Sequence, residues 1–166
     1  MSLSVRYATR EDAAEMAELI NTIIAIGGTT AYEEPFDEAA MDAAYISLPE
    51  LVSCFVAETD GEIVGFQGLM RSFDPDDPLP DGWATIGTFA RVGQTQAGVG
   101  RALFEKTLAA ARAAGIGVID ATIRADNTGG LAFYARLGFI DYGRLVGVPL
   151  KNGAPVDRVR KRFDIR

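Results

Sequence analysis

The sequence contains no histidine and only one cysteine, and each scarcity excludes a class of site. Without histidine there is no Ser-His-Asp or Cys-His nucleophile and no usual zinc or haem ligand, and the commonest general base is missing. Cys54 alone cannot form an internal disulfide or a multi-cysteine zinc site, so no metal site is predicted. Proton transfer must therefore use carboxylates, tyrosine, lysine or water.

Long apolar runs and an excess of basic residues are also missing. No run reaches the ~18 residues of a membrane span and no secretory pattern opens the chain, so we expect a cytoplasmic protein without a membrane partner. A net charge of −7 argues against nucleic acid as a partner, because phosphate binding is driven by Lys and Arg. An acidic surface favours a cationic substrate such as an amine, although most of these carboxylates have the ordinary role of keeping a protein soluble.

The 166 residues, 48% of them hydrophobic, suit a single domain spanning 1–166. Periodicity and capping signals predict a strand before Thr9, a helix that Gly27 ends, and a second helix that begins at Asp37 and ends at Pro49. Asp60-Gly61 predicts the turn of a hairpin. The remaining strands and helices give the order β, α, α, three strands, α, β, α, two strands, which is a mixed α/β sheet.

One stretch combines a strand, a glycine-rich loop and a helix. Trp83 to Ala90 is apolar and β-branched, and from Val99 apolar residues recur with the helical period until Gly115. A loop of small residues at a helix N-terminus directs free backbone N–H groups at one anion, which predicts a phosphate or pyrophosphate ligand. The sequence does not match a Walker loop, which needs Lys and then Ser or Thr after the last glycine, because Arg101 and Ala102 follow Gly100. It does not match the dinucleotide pattern Gly-x-Gly-x-x-Gly either, because Leu103 stands at the third glycine position.

A second block decides which phosphate ligand is expected. Thr95-Gln96-Ala97-Gly98-Val99-Gly100 matches, except at its first position, the Gln/Arg-x-x-Gly-x-Gly/Ala loop that binds acyl-CoA in the GNAT superfamily of N-acetyltransferases. Asn127, Phe133-Tyr134 and Gly138-Phe139 follow at the spacing of that family's next block. The chain therefore resembles the GNAT superfamily, most closely over residues 83–145. Residues 21–35, which include Thr30-Ala31-Tyr32-Glu33-Glu34-Pro35, resemble the phosphinothricin acetyltransferase-like branch more weakly.

The resemblance implies a GNAT-like fold, a mixed and partly splayed central sheet with flanking helices. It also implies that acetyl-CoA donates an acetyl group, without a metal, to the primary amine of a small substrate such as an amino acid or its analogue. The amine attacks directly, with no covalent enzyme intermediate. Two alternatives remain open, a non-catalytic acyl-CoA-binding or sensing domain and a protein N-acetyltransferase, and so does a homodimer.

The resemblance also assigns acetyl-CoA contacts. Backbone N–H groups of the glycine loop would hold the pyrophosphate, and a backbone N–H at the end of the Trp83 strand, where Gly87 marks a bulge, would polarise the thioester carbonyl. Arg101 either adds a charge or is a solvated helix residue, and Asn127 contacts the pantetheine arm, caps a helix, or does both. The predicted acetyl-CoA contacts are Thr88, Phe89, Ala90, Gln96, Ala97, Gly98, Val99, Gly100, Arg101, Asn127 and Tyr134.

Two residues are predicted to be catalytic. Tyr134 matches the family's tyrosine that gives a proton to the departing CoA thiolate, and the alternative is a tyrosine used only for packing. The base is less defined, because Thr85 stands where some relatives carry a glutamate in the strand before the glycine loop. Glu34, with Glu33 beside it on the loop after the first helix, is the predicted substitute, and a water relay to backbone carbonyls is the alternative.

Overall fold

The computed structural model describes residues 2–71, 74–93 and 98–166. It contains the mixed α/β architecture and the order of elements expected from the sequence. The elements are β1 (Leu3–Tyr7), α1 (Ala13–Ile26), α2 (Glu38–Tyr45), β2 (Leu51–Thr59), β3 (Glu62–Met70), β4 (Trp83–Ala90), α3 (Val99–Ala113), β5 (Val118–Arg124), α4 (Thr128–Leu137), β6 (Ile140–Pro149) and β7 (Pro155–Asp164).

The helix ends follow local side-chain chemistry. Gly27 ends α1 with a φ of 75°, and the Asp37 carboxylate caps α2 by accepting a hydrogen bond from the Ala40 N–H at 2.7 Å. The prediction that α2 runs on to Pro49 is wrong, because the helix ends at Tyr45. The N–H groups of Ile46 and Ser47 both donate to the Asp42 carbonyl, which closes the last turn well before the proline.

Seven strands form one sheet in the order β1-β2-β3-β4-β5-β7-β6. Every neighbouring pair is antiparallel except β4 and β5. Asp60 and Gly61 join β2 to β3 with φ values of 53° and 78°, the two positive angles of a tight hairpin turn.

The β4–β5 pair holds together only at its beginning. Three pairings join the strands, Trp83 with Val118, Ala84 with Ile119 and Thr85 with Asp120. Beyond them both strands continue, β4 to Ala90 and β5 to Arg124, without pairing to each other. The sheet therefore splays apart between these strands, as the sequence resemblance implied.

The helices cover the two faces of the sheet separately. Residues of α1 and α2, with Met16, Ile20 and Tyr45 at their centre, pack on the face that carries Phe66. The other face carries α3 and α4, whose core partners include Ile119 and other β5 residues. Cys54 lies in the first core, where burial raises the pKa of its thiol to about 12, as suits a packing residue. No helix in residues 2–71, 74–93 and 98–166 is long and apolar enough to cross a bilayer.

Candidate active site

A cleft of about 970 Å³ lies where β4 and β5 separate. Its walls come from the last six residues of β4, the start of α3, β5, α4, β7 and the segment 29–32 that follows α1. Because side chains alternate along a strand, the two faces of the sheet contribute different groups to it. Ile119, Ala121 and Ile123 pack against α3 and α4, so Asp120, Thr122 and Arg124 lie on the face of α1 and α2.

The glycine turn forms one end of the cleft. Gly98 has a left-handed backbone with φ of 94° and open space where a Cβ would stand. Gly100 is different, because a Cβ there would come within 2.3 Å of Cε1 of Phe133. Gly98, Val99, Gly100 and Arg101 all line the cleft. The predicted contacts Gln96 and Ala97 lie outside the described residues.

The open edge of β4 contributes backbone donors. The Arg91 N–H donates to the Val64 carbonyl at 2.9 Å, so alternate residues of β4, including Phe89, turn their N–H groups to β3. It follows that the N–H groups of Thr88 and Ala90 point toward the gap. The β3–β4 register is continuous through Gly87, so the predicted bulge is wrong; the strand needs no bulge because alternation alone directs these donors at the gap.

Tyr134 lies buried in the cleft on the face of α3 and α4. Its Oη is 2.8 Å from Thr88 Oγ1, and burial raises the pKa of the phenol to about 12. Thr88 Oγ1 also accepts a hydrogen bond from Gln67 Nε2 at 3.0 Å. Gln67 is fully buried, and within the described parts of the chain its Oε1 has no hydrogen-bond partner.

Asn127 caps α4 and connects it to the segment after α1. Its Oδ1 accepts from the Gly130 N–H at 2.9 Å, and its Nδ2 donates to the Thr29 carbonyl at 3.2 Å. Asn127, Thr29 and Gly130 all line the cleft. Asn127 therefore caps α4 as expected. Its contact with the pantetheine arm stays a prediction.

The sequence interpretation missed a buried carboxylate in this cleft. Asp120 is 2% exposed, and it accepts hydrogen bonds from Tyr142 Oη at 2.5 Å, Thr85 Oγ1 at 2.8 Å and Thr122 Oγ1 at 3.1 Å. It belongs to the last pair before the strands separate, opposite the threonine that stands where some relatives have glutamate. The alternation of polar residues 120, 122 and 124 with apolar ones was the signal in the sequence that could have revealed it.

The two loop glutamates lie outside the cleft-lining residues. Each glutamate contacts Lys151. The Glu33 carboxylate accepts a hydrogen bond from the backbone N–H of Lys151 at 2.9 Å, and the Glu34 carboxylate accepts one from Lys151 Nζ. The Glu34 side chain is 68% exposed. The catalytic role of Glu34 stays a prediction, and the structure places its carboxylate in an ion pair at the surface.

Comparison with known proteins agrees with this geometry. The model of the acetyltransferase (GNAT) family matches residues 17–139, well over half of the chain. The chain belongs to the acetyltransferase (GNAT) family. This membership confirms the resemblance read from the glycine turn and the Asn127 block, and it supports acetyl transfer as the class of reaction. No curated protein gives a significant match to the sequence.

Solved structures of GNAT acetyltransferases share the fold. The chain is similar to an N-acetyltransferase from Staphylococcus aureus Mu50, with a TM-score of 0.87, 19% identity and 100% of both chains covered. It is also similar to a GNAT superfamily phosphinothricin acetyltransferase from Sinorhizobium meliloti in complex with acetyl-CoA, at a TM-score of 0.82, 19% identity, and 99% and 89% coverage. A third similar structure is a ribosomal-protein-alanine N-acetyltransferase from Brucella melitensis. Its TM-score is 0.81 and its sequence identity is 21%, with 97% of this chain and 99% of that chain covered.

Proposed function

We propose that this protein transfers the acetyl group of acetyl-CoA to the primary amine of a small substrate. The observation that carries the proposal is the gap between β4 and β5, which has the glycine turn at one end and the Tyr134 hydroxyl inside it. Family membership supports the acyl chemistry, and the solved phosphinothricin acetyltransferase with acetyl-CoA supports the donor. The small acceptor is supported by the resemblance of residues 21–35 to the phosphinothricin acetyltransferase-like branch.

The glycine turn would hold the phosphates of the donor. The N-terminus of α3 begins at Val99, directly after the left-handed Gly98, so its first N–H groups have no partner within the helix. These groups and the helix dipole favour an anion at this place. Arg101 and Arg136, which also line the cleft, add positive charge.

The β4 edge would polarise the thioester. The N–H groups of Thr88 and Ala90 point into the gap, where they would donate to the carbonyl oxygen as it gains negative charge during amine attack. Oriented donors of this kind are each worth about 2.7–4 kcal/mol of transition-state stabilisation. The contact predicted for Phe89 is of another kind, because its N–H faces β3 and its ring packs against Phe66.

Tyr134 would return a proton to the departing thiolate. A phenol whose pKa is about 12 stays protonated across the physiological range, so the proton is present when the thiolate forms, and its transfer to a thiolate whose thiol has a pKa of about 8.5 is uphill. Thr88 would orient the Tyr134 hydroxyl. Because Thr88 Oγ1 accepts a hydrogen bond from Gln67, the Thr88 hydroxyl can donate its own proton to Tyr134 Oη. The Tyr134 proton then points into the cleft.

Asp120 is the best-placed carboxylate for the amine proton. Deprotonating an amine with a pKa near 10.4 at pH 7 costs about 4–5 kcal/mol, so an acceptor near the nitrogen matters. Asp120 lines the cleft, whereas Glu34 lies outside its lining residues. Asp120 would take the proton directly or through one water, while Thr85, Thr122 and Tyr142 hold the carboxylate in place.

The activity is tested by incubating the protein with acetyl-CoA and a panel of amines, amino acids and short peptides. Release of the CoA thiol, together with a product heavier by one acetyl group, would establish transfer. Acetyl-CoA binding without transfer to any acceptor would favour the sensing domain. Acetylation of peptide N-termini alone would favour the protein N-acetyltransferase.

Exchanges at Gly98 separate charge from backbone strain. Asn tolerates the left-handed conformation and has the shape of Asp, so Gly98→Asn and Gly98→Asp differ mainly by one negative charge. We expect Gly98→Asp to weaken acetyl-CoA binding at least tenfold, about 1.4 kcal/mol, relative to Gly98→Asn in calorimetry. Equal affinities of the two folded variants would mean that no phosphate lies beside Gly98.

Exchanges at Thr88 test the orientation of Tyr134. Thr88→Val removes the hydroxyl and keeps the backbone N–H, and we expect kcat to fall up to about tenfold, the value of one hydrogen bond. Thr88→Ser should restore it, and KM for acetyl-CoA should not change. If Thr88 acts through Tyr134, adding Thr88→Val to Tyr134→Phe lowers kcat no further, whereas additive losses would refute the coupling.

A further inference from the structure

Two arginines of β7, Arg158 and Arg160, lie on the same face of the sheet as Asp120, the carboxylate proposed to accept the amine proton. Arg158 pairs with Arg124 across the β5–β7 ladder and Arg160 pairs with Thr122, so all four share the face of Asp120. All four line the cleft. The glycine turn leads into α3, which packs on the opposite face. These arginines therefore lie on the opposite face of the sheet from α3, at whose N-terminus the CoA phosphates are proposed to bind.

The arginines differ in how fully their donors are used. All three nitrogens of the Arg124 guanidinium donate hydrogen bonds within the protein. Nε and one terminal nitrogen donate to the Asp126 carboxylate at 3.0 and 2.8 Å, and the other terminal nitrogen donates to the Thr30 carbonyl at 3.2 Å. The Arg158 side chain makes no hydrogen bond or ion pair with any residue of the described ranges. Arg160 is held by the protein, because it pairs with Asp77 at 2.9 Å and its buried Nε forms an ion pair with Asp120 Oδ1 at 3.7 Å.

The cleft also reverses the charge balance of the molecule. The chain carries a net charge of −7. The described residues that line the cleft include arginines 101, 124, 136, 158 and 160 but only three carboxylates, those of Asp74, Asp77 and Asp120. Unpaired guanidinium donors in a cleft are expensive to desolvate unless an anion meets them.

We propose that the acceptor amine carries a carboxylate or similar oxyanion, which the guanidinium of Arg158 binds. This inference rests on the proposed acetyl transfer and narrows its acceptor. A planar guanidinium matches the two oxygens of such a group, and its donors here are not used by the protein. Asp120, two residues before Thr122 on the adjacent strand, would face the amine end of the same molecule. Acidic composition suggested a cationic substrate, whereas this cleft fits an acceptor with charges of both signs.

The test compares each amino acid of a panel with its carboxamide, which differs in one charge. Because a carboxylate raises the pKa of the neighbouring amine, kcat/KM is expressed per concentration of unprotonated amine. We expect the wild type to prefer the carboxylate at least tenfold for its best acceptor. Arg158→Gln should raise KM for that carboxylate at least tenfold and change kcat/KM for the carboxamide less than twofold.

Arg162→Gln is the matched control. Arg162 lies two residues further on the same face of β7, stacks on Trp83, and is not among the cleft-lining residues. The Arg162→Gln variant should have the wild-type kcat/KM for every amino acid and for its carboxamide. Equal losses in Arg158→Gln and Arg162→Gln, or weaker acetyl-CoA binding in Arg158→Gln, would overturn the proposal, because the effect would be general or would belong to the donor.

A binding measurement distinguishes failure of the subsite from failure of the reaction. Calorimetry with CoA present compares the binding of the amino acids of the panel with the binding of their carboxamides, in the wild type and in Arg158→Gln. Carboxylate binding that depends on Arg158, without any acetylation, would uphold the subsite and refute the proposed function. Acetylation of acid and amide alike would uphold the function and refute the subsite. Absence of both would refute both.

Discussion

Replacing Asp120 with Asn should lower kcat at neutral pH by about 10²–10⁴-fold, the usual contribution of a positioned general base. The exchange keeps the shape of the side chain, and the hydroxyls of Thr85, Thr122 and Tyr142 can rotate to meet the amide. What is lost is the proton acceptor beside the amine. The deficit should therefore shrink as the pH approaches the pKa of the amine, about 10.4 for a lysine-like group, because the substrate then arrives deprotonated.

Two other exchanges make the measurement specific. Asp12→Asn removes a second buried carboxylate, hydrogen-bonded to Arg6 at 2.8 and 2.9 Å, that does not line the cleft. It should cost stability without lowering kcat of the folded fraction. Glu34→Gln tests the rival base, and we expect a smaller loss than in Asp120→Asn. A larger loss in Glu34→Gln, or wild-type kcat in Asp120→Asn, would return the role to the loop or to a water relay.

Replacing Tyr134 with Phe should lower kcat about 100-fold and leave acetyl-CoA affinity nearly unchanged, at the lower end of general-acid effects because a thiolate leaves easily. The ring keeps its contacts with Phe133 and Phe139, so the fold should be preserved. With a phenol pKa of about 12, the wild type should show no alkaline loss from this group below about pH 11.

A more acidic leaving group makes this prediction sharper. The measurement is kcat by thiol release, with acetyl-CoA compared with an acetyl thioester of a lower-pKa thiol that binds the same site. Since such a thiol departs without a proton, the Tyr134→Phe deficit should diminish with it. A deficit of the same size for both donors, or none for acetyl-CoA when chemistry limits the rate, would leave Tyr134 a packing residue.

The sequence predicted those features that depend on neighbours along the chain. Asp60-Gly61, the Asp37 cap and the Gly98 turn each arise from a few adjacent residues, and Asn127 caps the helix that follows it. The family resemblance added the splayed sheet. The end of α2 was misplaced because proline was the most visible signal in a segment that Asp42 closes earlier.

The acceptor side could not be predicted in the same way. Asp120, Gln67 and Arg158 are ordinary strand residues until the registers of β3–β4 and β5–β7 bring them to the cleft. Register depends on how distant segments pair, and a shift by one residue would turn each side chain to the other face. The part of the site proposed to hold the donor is local in sequence, whereas the part proposed to bind the acceptor is assembled from strands that are distant in sequence.

The separation of β4 from β5 has one further consequence, which concerns association with other chains. Unpaired backbone groups normally belong to edge strands at the rim of a sheet, where they invite pairing with other chains and aggregation. Here two such edges face each other inside the molecule, with α3 and α4 packed on one face and α1 and α2 on the other. The unpaired groups of β4 and β5 are therefore flanked by the protein's own helices and do not lie at the rim of the sheet, which makes them less accessible to the strands of a neighbouring chain.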